Sequence, residues 1–232
     1  MGKQDRRRLA ARAALAVALA VVVVVVLAQL LLPGIVAGRV RSKLARYGAV
    51  KSVSVSAWPA VKLLWGHADE VRVRASWLKL TPAQSGALVA EATSTTKVHA
   101  TVERAQEGSL KLSDVRFYKN GSKLRGQATT NEADVKAALP PGFAVTLVGS
   151  SAGTVVVRAS GGLFGLTASI EAVAEAQEGK LVAHPRLLFL EGLTLTLFES
   201  SKVYVEGVEA REVKGAPGAG NDYVLSMWAS LK

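Results

Sequence analysis

Twenty consecutive positions, residues 13–32 (AALAVALAVVVVVVLAQLLL), carry no charge and one polar side chain, Gln29. A helix rises about 1.5 Å per residue, so the stretch covers roughly 30 Å, the thickness of a bilayer's hydrocarbon core. Its run of six valines would weaken a helix in water. In lipid the backbone must satisfy its own hydrogen bonds, and the helix forms regardless. Pro33-Gly34 then punctuates the exit. Beyond it Ile35, Val36, Val40, Leu44 and Tyr47 recur at helical spacing, with Arg39, Arg41, Lys43 and Arg46 between them. That pattern predicts a short amphipathic helix within 33–48, capped by Gly48.

From residue 50 the period changes to two. Lys51–Ser56 and Val71–Ala75 alternate strictly, each with one apolar and one polar face, and Trp58-Pro-Ala-Val-Lys-Leu-Leu-Trp65 makes an apolar bend between them. Pro82 opens a helix to about residue 92. Strands follow over 98–103, 110–118 and 124–129, with Asn120-Gly121 as a hairpin turn. A helix over 131–139, with Thr129 and Glu132 spaced as a capping box, ends at Pro140-Pro141-Gly142. Further strands are expected over 143–148, 154–159, 166–176, from 181, 202–213 and 223–231. The motif Val-x-x-Ala-Gln-Glu-Gly-x-Leu stands at both Val102–Leu110 and Val173–Leu181, and recurrent turn chemistry explains it more simply than duplication. The organisation is a basic tail (1–12), an apolar anchor (13–32), a juxtamembrane helix (33–48) and a β-rich domain (49–232).

A cleaved secretory signal competes with the anchor. Lys3, Arg6, Arg7, Arg8 and Arg12 suit its basic region. The apolar stretch, however, exceeds the roughly 7–15 residues such signals use, and Val36-Ala37-Gly38 is a poor cleavage pattern. Either reading puts residues 39–232 outside the cytoplasm if the N-terminus stays in, the expected orientation, and the uncleaved anchor makes one pass through the cytoplasmic membrane.

Charge sharpens this picture. Residues 39–79 hold nine Lys/Arg against Asp69 and Glu70, whereas residues 80–232 hold fifteen of each sign. The excess cations crowd beside the span, where each is worth about 1 kcal/mol against an anionic lipid surface. A nucleic-acid face would spread them over a groove-sized surface, so DNA and RNA are not expected partners. Arg39, Arg41, Lys43 and Arg46 are the headgroup or membrane-surface candidates. The absence of cysteine excludes disulfides, thiol-ligated metals and lipoprotein processing.

Catalytic motifs fail on context. Gly149-Ser-Ser-Ala-Gly153 matches G-x-S-x-G around Ser151, but the β-branched Thr154–Val157 that follow read as a strand and not the helix an elbow needs. Ser76-Trp-Leu-Lys79 matches S-x-x-K without its companion motifs. His67, His99 and His184 lack metal-ligand spacing. No enzyme, metal or cofactor is expected. Apolar surplus instead marks Trp58–Trp65, the Gly161–Gly165 loop and Leu187–Phe198, giving Trp58, Trp65, Leu163, Phe164, Leu188 and Phe189 as candidate lipid contacts.

Leu32–Gly48, Val53–Ala60, Leu63–Gly66, Asn131–Phe143 and Leu195–Phe198 together resemble the LmeA-like phospholipid-binding family of bacterial envelope proteins, over residues 32 to 232. The resemblance implies an α+β fold in which one transmembrane helix precedes a long curved antiparallel sheet wrapped around short helices, as in half of a tubular lipid-binding domain. It also implies a non-enzymatic envelope protein that holds an acyl chain in an apolar groove and supports lipoglycan synthesis by a membrane glycosyltransferase. The alternative is an interaction module that steadies such an enzyme without a ligand of its own.

Overall fold

A computed structural model of the chain describes residues 3–139, 142–163, 166–186, 194–214 and 220–232. Its first element, α1 (Lys3–Leu44), is one helix of 42 residues with Pro33 inside it. The amphipathic segment beyond Pro33-Gly34 continues from the anchor as the same helix. Proline removes only the bond to the Gln29 carbonyl, and the turns beyond it are held by packing: Leu32, Val36 and Ala37 lie against Val55, Ala57, Leu63 and Ala68. The helix ends in a turn, where the Ala45 N–H donates to the Arg41 carbonyl at 2.8 Å and that of Tyr47 to the Leu44 carbonyl at 2.9 Å. Gly48 is therefore not its cap. It opens β1 (Gly48–Ser56), where a Cβ would run into the Trp77 carbonyl oxygen.

The alternating segments become strands, mostly longer than the pattern alone marks. After β1 come a 3₁₀ turn (Ala60–Trp65), β2 (Ala68–Leu80), α2 (Pro82–Glu91), β3 (Thr95–Glu107), β4 (Leu110–Asn120), β5 (Lys123–Asn131) and α3 (Glu132–Ala138). The second half supplies β6 (Phe143–Ser151), β7 (Thr154–Leu163), β8 (Leu166–Gln177), β9 (Lys180–Pro185), β10 (Leu195–Phe198), β11 (Val203–Lys214) and β12 (Asn221–Leu231). The helix starts have identifiable caps. Thr81 and Gln84 form a reciprocal capping box on α2, with bonds of 2.9 and 3.3 Å. On α3 the cap is Asn131, whose Oδ1 accepts the Asp134 N–H at 2.7 Å. The box expected from Thr129 and Glu132 is absent because Thr129 is still in the β5 ladder, opposite Val224.

The architecture is α+β, with two sheets where one antiparallel sheet was expected. The first has seven strands in the order β1-β2-β3-β4-β5-β12-β11, and the second has five in the order β10-β9-β8-β7-β6. One pair, β2 with β3, is parallel, because α2 provides the crossover that parallel neighbours require. The repeated Gln-Glu-Gly motif forms the β3–β4 and β8–β9 turns, one in each sheet.

The sheets meet at β11. Val208 and Ala210 pack with Val155 against Leu147, Val157, Ala174 and Leu181 from the second sheet and Leu225 and Met227 from the first. The hairpin turns of the second sheet also bond to this edge strand. The Val205 N–H donates to the Gly179 carbonyl at 2.9 Å and that of Val208 to the Gly153 carbonyl at 3.0 Å. These bonds satisfy two of the edge donors of β11, and an edge left open invites pairing with another chain. Further small clusters sit along the first sheet, around Ala75, Leu78 and Val102 and around Leu124, Val203 and Ala229. Val89 of α2 packs on the latter.

Candidate functional site

Two regions carry the expected site residues, and they lie at opposite edges of the first sheet. One is where α1 meets β1. On α1 the side chains of Val21, Val22, Val24, Val25, Val26, Leu27, Leu30 and Leu31 are exposed. Gln29, in their midst, is not left without partners. Its side-chain NH2 donates to the Ala57 carbonyl at 3.1 Å, and its Oε1 accepts the Ala60 N–H at 2.8 Å. An amide left unpaired in an apolar setting would cost several kcal/mol. The pairing fastens α1 to the loop that carries the two tryptophans.

That loop is held from within while its apolar side chains face outward. Ala60 and Leu63 are buried. Trp58, Leu64 and Trp65 are 69%, 67% and 71% exposed. The Asp69 carboxylate accepts the Trp58 N–H at 2.6 Å and pairs with Lys62 at 3.4 Å. The backbone donor at Trp58 holds this carboxyl below the ordinary carboxylate range; desolvation opposes it, and the hydrogen bond and charge of Lys62 add to the lowering.

The four basic candidates divide. Arg39, Lys43 and Arg46 line an open hollow with Ile35, Gly38 and Ser42, and Arg41 lies outside it. Lys43 pairs with Glu91 at the end of α2 at 2.5 Å, which fixes the last turn of α1 to the domain.

The second region is the face of the second sheet turned toward β11. Register puts Val145, Ala159 and Ile170 opposite one another, and Leu147, Val157, Ala172 and Pro185 likewise. Among the described residues of this sheet's strands only Val155 and Val182 are buried. Val145, Ala159, Ile170 and Ala172 are half-buried and continue the apolar surface beyond the packed cluster. Leu163 ends β7, paired with Leu166. Phe164, Leu188 and Phe189 lie outside the described residues. Trp58 and Trp65 are therefore not neighbours of this face. They adjoin β1, six strand spacings from β11, or roughly 29 Å along the sheet.

The segments that match catalytic patterns have other places in the fold. Ser151 closes β6, and Ala152 and Gly153, both at positive φ, turn the chain directly into β7. The elbow geometry of a strand feeding a helix is not formed. Ser150 serves the fold instead, accepting the Ala210 N–H at 3.0 Å and donating to the Thr154 carbonyl at 3.0 Å. Ser76 donates to the Ala49 carbonyl at 3.2 Å. His184 sits 3.2 Å from Glu175, and His99 meets Tyr118 edge-on. Among the described residues no three His, Asp or Glu side chains gather as a metal site.

The sequence reading passed over Gln29 and Leu64. Gln29 stood out as the one polar side chain in the apolar stretch, but it was given no role. Val145, Ala159, Ile170 and Ala172 were each within expected strands, but only register places them on a common face. By length and hydropathy, the section Val24–Leu44 of α1 is long and apolar enough to cross a membrane, as an anchor or as a signal sequence. No family model, no curated protein and no solved structure matches this chain.

Proposed function

We propose that the chain is a membrane-anchored, extracytoplasmic phospholipid-binding protein of a bacterial cell envelope, without enzymatic activity. Its N-terminus lies in the cytoplasm, and an acyl chain lies along the open face of the second sheet. The observation that carries this reading is that face: Val145, Ala159, Ile170 and Ala172 are small or aliphatic, half-buried and on one side of the sheet. A floor of small apolar side chains leaves room for a hydrocarbon tail. On this reading the two sheets and α2 form a curved envelope akin to half of a tubular lipid-binding domain. The chain then belongs with the LmeA-like proteins, and support of lipoglycan synthesis by a membrane glycosyltransferase is its expected role.

The packing of α1 supports an uncleaved anchor. Cleavage near Ala37-Gly38 would remove Gln29, Leu32, Val36 and Ala37, which bond to or cover the first strands of the domain. Because Val36 and Ala37 are occupied by the domain, the membrane-crossing part ends no later than Leu32, with the turn from Gln29 to Leu32 at its outer boundary.

The test is mass spectrometry of lipid extracted from the full chain, purified from its native membrane in mild detergent beside an unrelated single-span protein. Phospholipid in clear excess over that control is expected, and it should be lost in Ala159→Trp, which fills the floor. Lipid no greater than the control, or unchanged in Ala159→Trp, overturns the proposal. A second reading, a ligand-free interaction module, is favoured by one observation. The edge strand β10 exposes Leu195 and Leu197, and apolar edge residues mark protein contacts. Crosslinks to a membrane partner that vanish in Leu195→Asp with Leu197→Asp, while lipid content stays at the control level, would establish it.

A further inference from the structure

An amide in an apolar helix must find a partner, and the partner of Gln29 fixes a depth. Gln29 lies three residues before the end of the apolar stretch, about 4.5 Å along the helix axis inside it. Its two bonds reach Ala57 and Ala60, which flank Trp58 and Pro59. Trp58, Leu64 and Trp65 are thus held beside the outermost turns of the span, at the boundary between hydrocarbon and headgroups. We propose that this loop is a second membrane contact, a wedge of two tryptophans and a leucine seated in the outer-leaflet interface and locked to α1 by Gln29. The inference rests on α1 being a membrane anchor, but not on acyl-chain binding by the domain.

Three further observations identify lipid as the occupant. The loop turns its largest apolar side chains outward, although Ala60 and Leu63 beside them are buried. Tryptophan concentrates at bilayer interfaces, where an apolar ring with one N–H donor is at home. The loop's own charge is balanced, since Lys62 pairs with Asp69. The wedge also sorts the basic candidates by height. Arg39 stands seven residues past Leu32, about 10 Å along the axis and within a long side chain's reach of the headgroups. Lys43 stands about 16 Å past it and is engaged by Glu91. Of these two, Arg39 is the headgroup contact and Lys43 is an internal brace. A single tether leaves a domain free to swing, whereas two contacts fix its rotation about α1.

The test uses the full chain with Trp77→Phe and Trp228→Phe, so that only the loop tryptophans fluoresce. It is reconstituted in phosphatidylcholine–phosphatidylglycerol vesicles carrying bromine near either the glycerol or the methyl end of the acyl chains. Stronger quenching by the shallow bromines, by about twofold or more, is expected for an interfacial ring. Gln29→Leu, which inserts as well as wild type, should erase that contrast while circular dichroism shows an unchanged strand content. Protein that floats with the vesicles but is quenched by neither bromine, and equally by iodide with and without lipid, overturns the wedge and leaves the anchor standing. Protein that does not float with the vesicles removes the anchor and the wedge together. An unchanged contrast in Gln29→Leu overturns the lock.

Discussion

Lys119 stands on the inner side of β4, 3% exposed, with its ammonium donating to the Thr95 carbonyl. Burial lowers its pKa from the ordinary 10.5, since a charged form out of water is disfavoured. Lys119→Met keeps the aliphatic stem and deletes the charge, so it should leave stability unchanged or slightly raised. Lys119→Ala also removes the stem's packing and should cost about 2 kcal/mol. Urea midpoints measure both. The folded pKa lies below the unfolded one, so the unfolded chain binds more protons in between. Wild type should therefore gain stability relative to Lys119→Met as pH rises toward 10.5. Asp69 has the opposite sign. Its depressed carboxyl contributes stability that is complete above the ordinary 3.8 and lost as pH falls through the lower folded value. The fluorescence of Trp58 should stay constant from neutral pH down to about that point and change only below it. Asp69→Asn, which retains an acceptor for the Trp58 N–H, should abolish the acid transition.

At the scale of elements, two glycines in strands make opposite predictions. A Cβ on Gly48 would strike the Trp77 backbone, whereas one on Gly126 meets nothing within 4 Å. Gly48→Ala must push β1 off β2 and should cost about 2 kcal/mol or more, against less than about 0.5 for Gly126→Ala. Thermal or urea unfolding of the two variants decides it. Gly48 also shows where pattern reading stopped. A glycine after a periodic run reads as a helix cap, and only the approach of β2, distant in sequence, reveals its reason. Strands were legible where period two and turn dipeptides coincided, as at Lys51–Ser56 and Asn120-Gly121. Their partners were less so. The parallel pairing of β2 with β3 departs from the antiparallel expectation, although the helix between them is the crossover such a pair needs, and the division into two sheets depends on β11, whose hairpin contacts leave no local mark. The continuity of α1 past Pro33 was legible from its helical spacing, but the surface that Leu32, Val36 and Ala37 cover was hidden for the same reason. In the candidate site, the tryptophans were legible from composition and their grouping was not. Only the strand order separates them from the second sheet.

Across the whole molecule, α1 belongs to two environments at once, and truncation separates them. Val21, Val22, Val24, Val25, Val26 and Leu27, before Gln29, carry exposed aliphatic side chains. Further on, Gln29, Leu32, Val36 and Ala37 bond to or cover Val55, Ala57, Ala60, Leu63 and Ala68. A chain beginning at Leu27 discards only the first group and keeps the packed turns, so it should fold as a dispersed monomer, the domain intact without a membrane. A chain beginning at Gly38 loses the partly buried Leu32, Val36 and Ala37. Half-burial of these side chains is worth about 2–4 kcal/mol together, a large share of a typical domain's 5–15 kcal/mol. It also bares an apolar strip on β1 and the adjoining 3₁₀ turn. That truncation should unfold at lower urea, bind anilinonaphthalene sulfonate and self-associate. Equal urea midpoints for the two chains would mean that the last turns of α1 are a mere tether, and a signal sequence cut near Ala37 would then suit the fold as well as an anchor. A clear gap makes those turns a structural part of the domain that a signal peptidase could not remove without harm.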